Sequence, residues 1–202
     1  MDLEVSERLR MHQEARRGGQ CGTWTTRVVI ILALVLGWLV GCRTAPPTAE
    51  SRNQLLEQAS ATIREMNRVD PGLEAFARKG HGYAVFPEVA KGGLVFGGAY
   101  GRGVVYEQGT HIGYADLSQA SFGLQMGGQT YSELIVFESK AALDRFEAGR
   151  LDFTADATAV ILETGAAANV RFVDGVTVIV TPLAGAMAEA SVGGQQFKYV
   201  PR

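Results

Sequence analysis

The distribution of glycine is the feature that most constrains how this chain can fold. Thirteen of its 25 glycines lie between residues 80 and 128, and residues 86–103 read FPEVAKGGLVFGGAYGRG. Glycine weakens helix interiors, whereas within strands it permits bulges, sharp curvature and the close approach of another backbone or a ligand. The runs between these glycines, such as GYAVF and SELIVFE, are rich in β-branched and aromatic residues. They therefore predict a series of short strands with unusual curvature or a close-approach surface.

The same glycines do not fit a phosphate-binding loop. A dinucleotide fingerprint needs G-x-G-x-x-G between a strand and a helix, but Gly101-Arg102-Gly103 is followed by the strand-like run VVYEQG. A Walker loop needs its lysine after the glycines, whereas Lys91 precedes them. His81 and His111 have no cysteine beside them, and no serine lies in a G-x-S-x-G elbow. We therefore expect no cofactor, no metal site, no catalytic residue and no enzymatic activity.

Helical periodicity lies on either side of the glycine-rich strands. Residues 51–69 repeat apolar residues at helical spacing, with a possible capping box formed by Ser51 and Gln54. The segment DPGLEAFARKG predicts a short second helix with Asp70 as its N-cap, and SKAALDRFEAG predicts a helix that begins after Ser139. The segment DATAVILETGAAAN is ambiguous between a buried strand and an alanine-rich helix.

The strongest hairpin signal lies near the C-terminus. In VRFVDGVTVIVT, two β-branched runs surround Asp174-Gly175, which is typical of a two-residue type I′ turn. The pattern as a whole predicts an α+β fold. We expect a predominantly antiparallel, glycine-rich β sandwich or barrel-like sheet with N-terminal helices and one inserted helix.

The N-terminal region has the pattern of an export signal. Residues 28–40 form an uncharged apolar run that follows basic residues, and it is shorter than the ~20 residues of a membrane-spanning helix. The run ends in LVGC, which resembles the lipobox of bacterial lipoproteins. This resemblance implies a signal peptide over residues 1–41, acylation of Cys42 (palmitate or a related chain) and a tether over 42–50. An uncleaved signal anchor and ordinary secretion remain the alternatives.

Charge gives further limits on the partners. The chain carries a formal net charge of −2, so no global basic field for nucleic acid is present. Residues 51–102, however, hold seven basic and five acidic side chains. This segment is therefore the part of the domain expected to face an anionic membrane.

Two glycine-rich blocks, YAVFPEVAKGGLVFGGAYGRGVVY and SFGLQMGGQTYSELIVF, resemble the SYLF-domain family. The similarity extends from about Leu55 to the C-terminus, so residues 51–202 are expected to form one SYLF-like domain. The resemblance implies binding of membrane lipids through the N-terminal helix, with phosphoinositides as eukaryotic ligands and actin binding in some members. We expect an anionic lipid to meet the basic residues Arg64, Arg68, Arg78, Lys79, Lys91 and Arg102.

These observations favour a non-catalytic lipoprotein of the bacterial cell envelope whose domain binds anionic lipid. Arg43 follows the lipobox cysteine where inner-membrane retention would require aspartate, which favours the outer membrane with the domain in the periplasm. The alternative is an envelope interaction module that binds an unknown protein partner and meets lipid only through acylated Cys42.

Overall fold

The computed structural model describes residues 46, 48–93, 96–122, 127–151, 153, 159–184, 192 and 194–202, all within one compact unit, Thr44–Arg202. The predicted signal region and Cys42 lie outside the described residues. The elements, in chain order, are helices α1 (Ala49–Val69) and α2 (Gly72–Lys79), strands β1 (Gly82–Gly93), β2 (Phe96–Glu107), β3 (Thr110–Phe122) and β4 (Gly127–Phe137), helix α3 (Lys140–Glu147), strand β5 (Val160–Ile161), helix α4 (Ala166–Asn169), and strands β6 (Val176–Ala184) and β7 (Gln195–Pro201).

The strands form one seven-stranded sheet with the order β5-β6-β4-β1-β2-β3-β7. Every neighbouring pair is antiparallel except β5 and β6, which are parallel. The helices α1 and α2 precede the sheet, and α3 is inserted after β4. The predicted α+β class, with a mostly antiparallel, barrel-like sheet, is confirmed.

The sheet is strongly curled, as a contact between distant strands shows. Three strands separate β4 from β7, and at ~4.8 Å per spacing a flat sheet would hold them ~19 Å apart. Yet the Gln195 side chain on β7 donates a hydrogen bond from Nε2 to Glu133 Oε2 on β4 at 3.0 Å. Side chains of this length cannot bridge a flat sheet, so β4 and β7 face each other across a concave interior.

Glycines on the concave face permit this curl. A Cβ added to Gly103 would lie 2.7 Å from both the Phe86 ring and the Val85 carbonyl oxygen. At Gly113 it would lie 2.5 Å from the Tyr199 ring. Aromatic rings of the neighbouring strands thus occupy the space that side chains at these glycines would need.

Each face of the sheet packs against its own helices. On the concave face, hereafter the interior face, the Phe146 ring of α3 packs at a tilt against the rings of Phe137 and Phe197, with 4.9 Å and 5.0 Å between ring centroids. The opposite face, hereafter the α1 face, buries Met66 of α1 and Leu73 of α2 against the sheet. Alternation along the strands separates these two cores.

The predicted helix boundaries are largely confirmed, although two caps differ: the N-cap of α2 is Pro71 rather than the predicted Asp70, which is the C-cap of α1. A capping box joins Thr48 to Ser51, one turn before the predicted Ser51–Gln54 pair, because α1 begins at Ala49. At the second junction, Asp70 accepts hydrogen bonds from the backbone N–H groups of Gly72 at 2.9 Å and of Ala167 in α4 at 2.7 Å. Ser139 accepts a hydrogen bond from the Ala142 N–H at the start of α3.

The C-terminal hairpin is confirmed only at its turn. Asp174 and Gly175 have φ angles of 50° and 77°, as a type I′ turn requires, but a single bridge joins Val173 to Val176. Strand β6 pairs with β4 and β5 instead, because there its buried side chains complete both cores. The ambiguous segment contains both alternatives, the short strand β5 and the short helix α4.

Candidate functional site

A groove of about 910 Å³ lies where α1 and α2 meet the start of β1. Its apolar lining includes Ile63 of α1, Leu73 and Ala77 of α2, and Leu134 of β4. The groove exists because α2 is short and ends at Gly80, where the chain turns directly into β1. Its position at the junction of two amphipathic helices gives it an apolar floor and a polar rim.

The rim of this groove, hereafter the α1–α2 groove, carries three of the predicted lipid-binding residues, Arg64, Arg78 and Lys79. Arg78 pairs with Glu74, one turn earlier on α2. Within the described part of the chain, Arg64 and Lys79 form no ion pair. These two cations are therefore available to an anionic group that approaches the groove.

Two further side chains, Asn67 and Tyr83, add polar groups to the lining of the groove. The Asn67 Oδ1 atom is buried and has no hydrogen-bond partner among the described residues. Tyr83 lies half-buried in the lining, stacks on Tyr106 with 4.9 Å between ring centroids, and has a raised pKa, mainly because of burial. A ligand that offers both an anion and a hydrogen-bond donor fits this set of groups.

The other predicted site residues lie elsewhere. Arg68, also on α1, is exposed and pairs with Glu65 at 2.8 Å. Arg102 lines a smaller groove near the start of α1, where its Nε donates to the Tyr100 hydroxyl at 2.9 Å and lies 3.9 Å from Asp116. Burial raises the pKa of Asp116 to about 6, which the positive charge of Arg102 opposes.

Lys91 does not share the α1 face at all. It follows Val89 at two-residue spacing on β1, and Val89 belongs to the interior core. Burial lowers the pKa of Lys91, and the negative charge of Glu133 opposes that shift. The structure thus gathers Arg64, Arg78 and Lys79 in one groove and places Lys91 on the opposite face of the sheet.

Lys91 belongs to a row of polar side chains that crosses the interior face. Strand register aligns Gln129 of β4 with Lys91, Lys91 with Ala99 of β2, Ala99 with Gln119 of β3, and Gln119 with Gln195 of β7. Residues paired in register project from the same face, so the four polar side chains form one continuous row, hereafter the polar row. The row lies at the glycine-rich end of the strands, whereas the aromatic cluster around α3 lies toward the other end.

Glu133 lies beside this row and is the residue that sequence reasoning missed. Its side chain is 0% exposed, and Gln195 beside it is 1% exposed. Burial raises the pKa of Glu133 to about 7, and the hydrogen bond from Gln195 and the charge of Lys91 oppose the shift. Its spacing from Tyr131 and Ile135 could have indicated an interior position, but only the curl of the sheet brings Gln195 to it.

Two further findings concern the described residues only. They contain no group of three or more His, Cys, Asp or Glu side chains that could hold a metal ion. None of the helices described is both long and apolar enough to cross a membrane.

The chain is similar in sequence to known proteins. Over 155 residues the chain is 25% identical to a protein named Beta cell expansion factor A from Aeromonas veronii, a match that covers 75% of this chain and 59% of that protein. A family model named Ysc84, described as Las17-binding protein actin regulator, matches residues 118–199. The comparisons confirm the predicted resemblance: residues 118–199 match the SYLF (Ysc84) family, which is a family of lipid-binding domains.

Proposed function

We propose that the domain binds anionic membrane lipid at the α1–α2 groove and has no catalytic role. The observation that carries the proposal is the combination of an apolar floor with two cations on the rim, Arg64 and Lys79, which form no ion pair with any described residue. A phospholipid presents the complementary chemistry, because its phosphate is anionic and its glycerol backbone leads into acyl chains. The match of residues 118–199 to a family of lipid-binding domains supports the same function.

The proposal gives each groove residue a role. Arg64 and Lys79 bind the phosphate, while Ile63 and Leu73 contact the first carbons of the acyl chains. Asn67 Oδ1 accepts a hydrogen bond from a headgroup hydroxyl, which favours a glycerol headgroup over a choline headgroup because choline has no N–H or O–H donor. We therefore expect phosphatidylglycerol to bind more tightly than phosphatidylcholine.

Lipid anchorage is a second part of the proposal and rests on sequence. Acylation of Cys42 would hold the domain at the outer membrane of a bacterial envelope, facing the periplasm, with the residues up to Thr48 as a short tether. Labelling cells with an alkyne-bearing fatty acid tests this, because a Cys42→Ser variant would lose the label. A labelled Cys42→Ser variant would contradict the assignment.

Vesicle co-sedimentation tests the groove. Residues 44–202, which form one compact unit with its own cores, would be mixed with vesicles of phosphatidylcholine alone or with added phosphatidylglycerol. We expect binding that requires phosphatidylglycerol and weakens with salt, because exposed charges are screened over ~10 Å at about 0.1 M salt. Each basic residue near an anionic surface contributes ~1 kcal/mol, so Arg64→Glu with Lys79→Glu would weaken binding about thirtyfold or more.

The chain offers a matched control for this charge change. Arg150 is exposed beyond the end of α3 and Lys198 is exposed on β7, and neither residue lines the α1–α2 groove. An Arg150→Glu, Lys198→Glu double variant has the same change in net charge and should bind almost as the unaltered protein does. If it lost as much binding as the groove variant, net charge rather than the groove would account for the interaction. If no vesicle bound the domain, the protein-partner alternative would replace lipid binding.

A further inference from the structure

The interior face contains a buried polar site that the proposed groove does not use. Glu133 and Gln195 are each almost completely buried, and one hydrogen bond of 3.0 Å joins Gln195 Nε2 to Glu133 Oε2. The remaining oxygens, Glu133 Oε1 and Gln195 Oε1, are buried and have no hydrogen-bond partner among the described residues. A buried acceptor left unsatisfied costs about 1 to 3 kcal/mol, and more when it is charged. Two such acceptors side by side indicate a site for a ligand that donates hydrogen bonds.

The neighbouring groups define the charge of that ligand. Glu133 is the acidic group of the site, and Lys91, in the polar row, is close enough for each side chain to shift the pKa of the other. The remaining side chains of the row, Gln119 and Gln129, are neutral, and the adjacent Tyr131 keeps its proton because burial raises its pKa. Above about pH 7, where Glu133 is ionised, the site therefore holds one negative and one positive group. A zwitterion of the opposite polarity matches it, with an ammonium at Glu133 and an acid group at Lys91.

At one end of this site the described strands carry glycines. In the next register positions beyond the polar row, Gly127 of β4 pairs with Gly93 of β1, and Gly93 pairs with Gly97 of β2. Alternation places these three residues on the interior face, in line with Gln129, Lys91 and Ala99. Because glycine has no side chain, none of them covers the polar row, whereas the other end of the interior is filled by Phe137 and Phe146. A ligand would therefore enter from the glycine-rich end.

We propose that the interior face binds a phosphoethanolamine-type zwitterion, either free or as a phospholipid headgroup, through Glu133, Gln195 and Lys91. The ammonium donates hydrogen bonds to Glu133 Oε1 and Gln195 Oε1, and the phosphate lies toward the Lys91 amine. The site lies on the opposite face of the sheet from the α1–α2 groove, so it is independent of the anionic-lipid function proposed above.

Ligand-observed NMR titration of the full chain in a neutral detergent tests the site, with free phosphoethanolamine as the probe. The matched probe is glycerol 3-phosphate, which keeps the phosphate and replaces the ammonium with hydroxyls. We expect phosphoethanolamine to bind about tenfold or more tightly than glycerol 3-phosphate, because a hydrogen bond to a charged group is worth ~1.5 to 3 kcal/mol. Glu133→Gln keeps the shape and removes the charge, and it should weaken phosphoethanolamine binding by about the same factor.

Further arms complete the experiment. Lys91→Met should weaken binding of both probes, because both carry phosphate. Arg150→Glu, which lies outside both sites, should leave phosphoethanolamine binding unchanged. Glu133→Gln should still bind phosphatidylglycerol vesicles, so failure of the groove and failure of the interior site are distinguishable. Mixed micelles that contain phosphatidylethanolamine distinguish the sources, since a lipid ligand would bind there with the same dependence on Glu133 even if the free headgroup did not.

Three results would each overturn the proposal. If neither the free headgroup nor the micellar lipid binds, the interior site does not take this zwitterion. The same conclusion follows if folded Glu133→Gln binds phosphoethanolamine as tightly as the unaltered protein, or if glycerol 3-phosphate binds as tightly as phosphoethanolamine. Thermal unfolding of each variant verifies that it is folded before its titration is interpreted.

Discussion

Glu133 makes the stability of the fold depend on pH, and the direction and size of the effect follow from its burial. The ordinary pKa of a glutamate is 4.5, and burial raises that of Glu133 to about 7 in the folded protein. Between these values the unfolded chain releases the proton and the folded protein retains it. The free energy of unfolding therefore falls as the pH rises from about 4.5 to about 7, and this contribution is constant above that range. Each pKa unit corresponds to 1.36 kcal/mol, so the total loss is about 3 kcal/mol.

Replacing Glu133 with glutamine isolates this contribution, because the amide has a similar shape and does not titrate. Urea unfolding of residues 44–202, followed by circular dichroism, would be measured at several pH values for both proteins. The free energy of unfolding of Glu133→Gln minus that of the unaltered protein should rise by about 3 kcal/mol between about pH 4 and about pH 8. Other titrating groups, including Asp116, cancel in this difference as long as they do not interact with residue 133.

A control variant and one contrary result test this explanation of the pH dependence. Glu88 is exposed on β1, so Glu88→Gln makes the same chemical change without altering a buried carboxyl. If the difference for Glu133→Gln did not change with pH, Glu133 would be as readily ionised in the folded protein as in the unfolded chain. That result would refute the conclusion that burial controls this carboxyl group.

Two other predictions concern packing and capping. Gly103→Ala should destabilise the domain by about 1 to 3 kcal/mol, because its Cβ would meet the Phe86 ring and a backbone oxygen at 2.7 Å. Gly128→Ala is the control, because no atom of the described residues lies within 4 Å of its added Cβ. Equal denaturation midpoints for the two variants would contradict this account. Asp70→Ala should lower the free energy of unfolding in urea by about 2 to 4 kcal/mol, because two backbone N–H groups lose their acceptor. Asp70→Asn retains one acceptor oxygen and should lower it less. Equal losses of stability in the two variants would refute this explanation.

Local sequence predicted the elements of this fold better than their partners. The period of α1, the serine cap of α3 and the Asp174-Gly175 turn depend on neighbouring residues, and each is confirmed. The run before Asp174 has strand character but forms only one bridge, because β6 pairs across to β4. Pairing of that kind is decided by burial between distant segments, which local periodicity does not contain.

The candidate sites show the same division between local and distant information. Arg64, Arg78 and Lys79 lie together because α1 and α2 are consecutive, so sequence could group them correctly. Lys91 follows these residues in the chain, on β1, but its side chain lies on the interior face. A strand alternates its side chains between the two faces of the sheet, so closeness in the chain does not place Lys91 beside them. Glu133, 42 residues further along the chain, lies on β4, which pairs with the strand of Lys91, whereas Gln195, 104 residues away on β7, reaches Glu133 only because the sheet curls.

The glycine-rich block therefore serves two different purposes. At Gly101 and Gly103, a Cβ would lie within 3 Å of Val89 and Phe86, so these glycines permit the close strand packing that curls the sheet. At Gly93 and Gly97 the strands have passed the polar row, and these two residues add no side chain beside it. The first pair brings β7 toward β4 and so creates the contact between Gln195 and Glu133, while the second keeps bulk away from the polar row. A phosphate-binding loop would need its glycines in one turn before a helix; here they alternate along paired strands, which is why the block builds a concave surface.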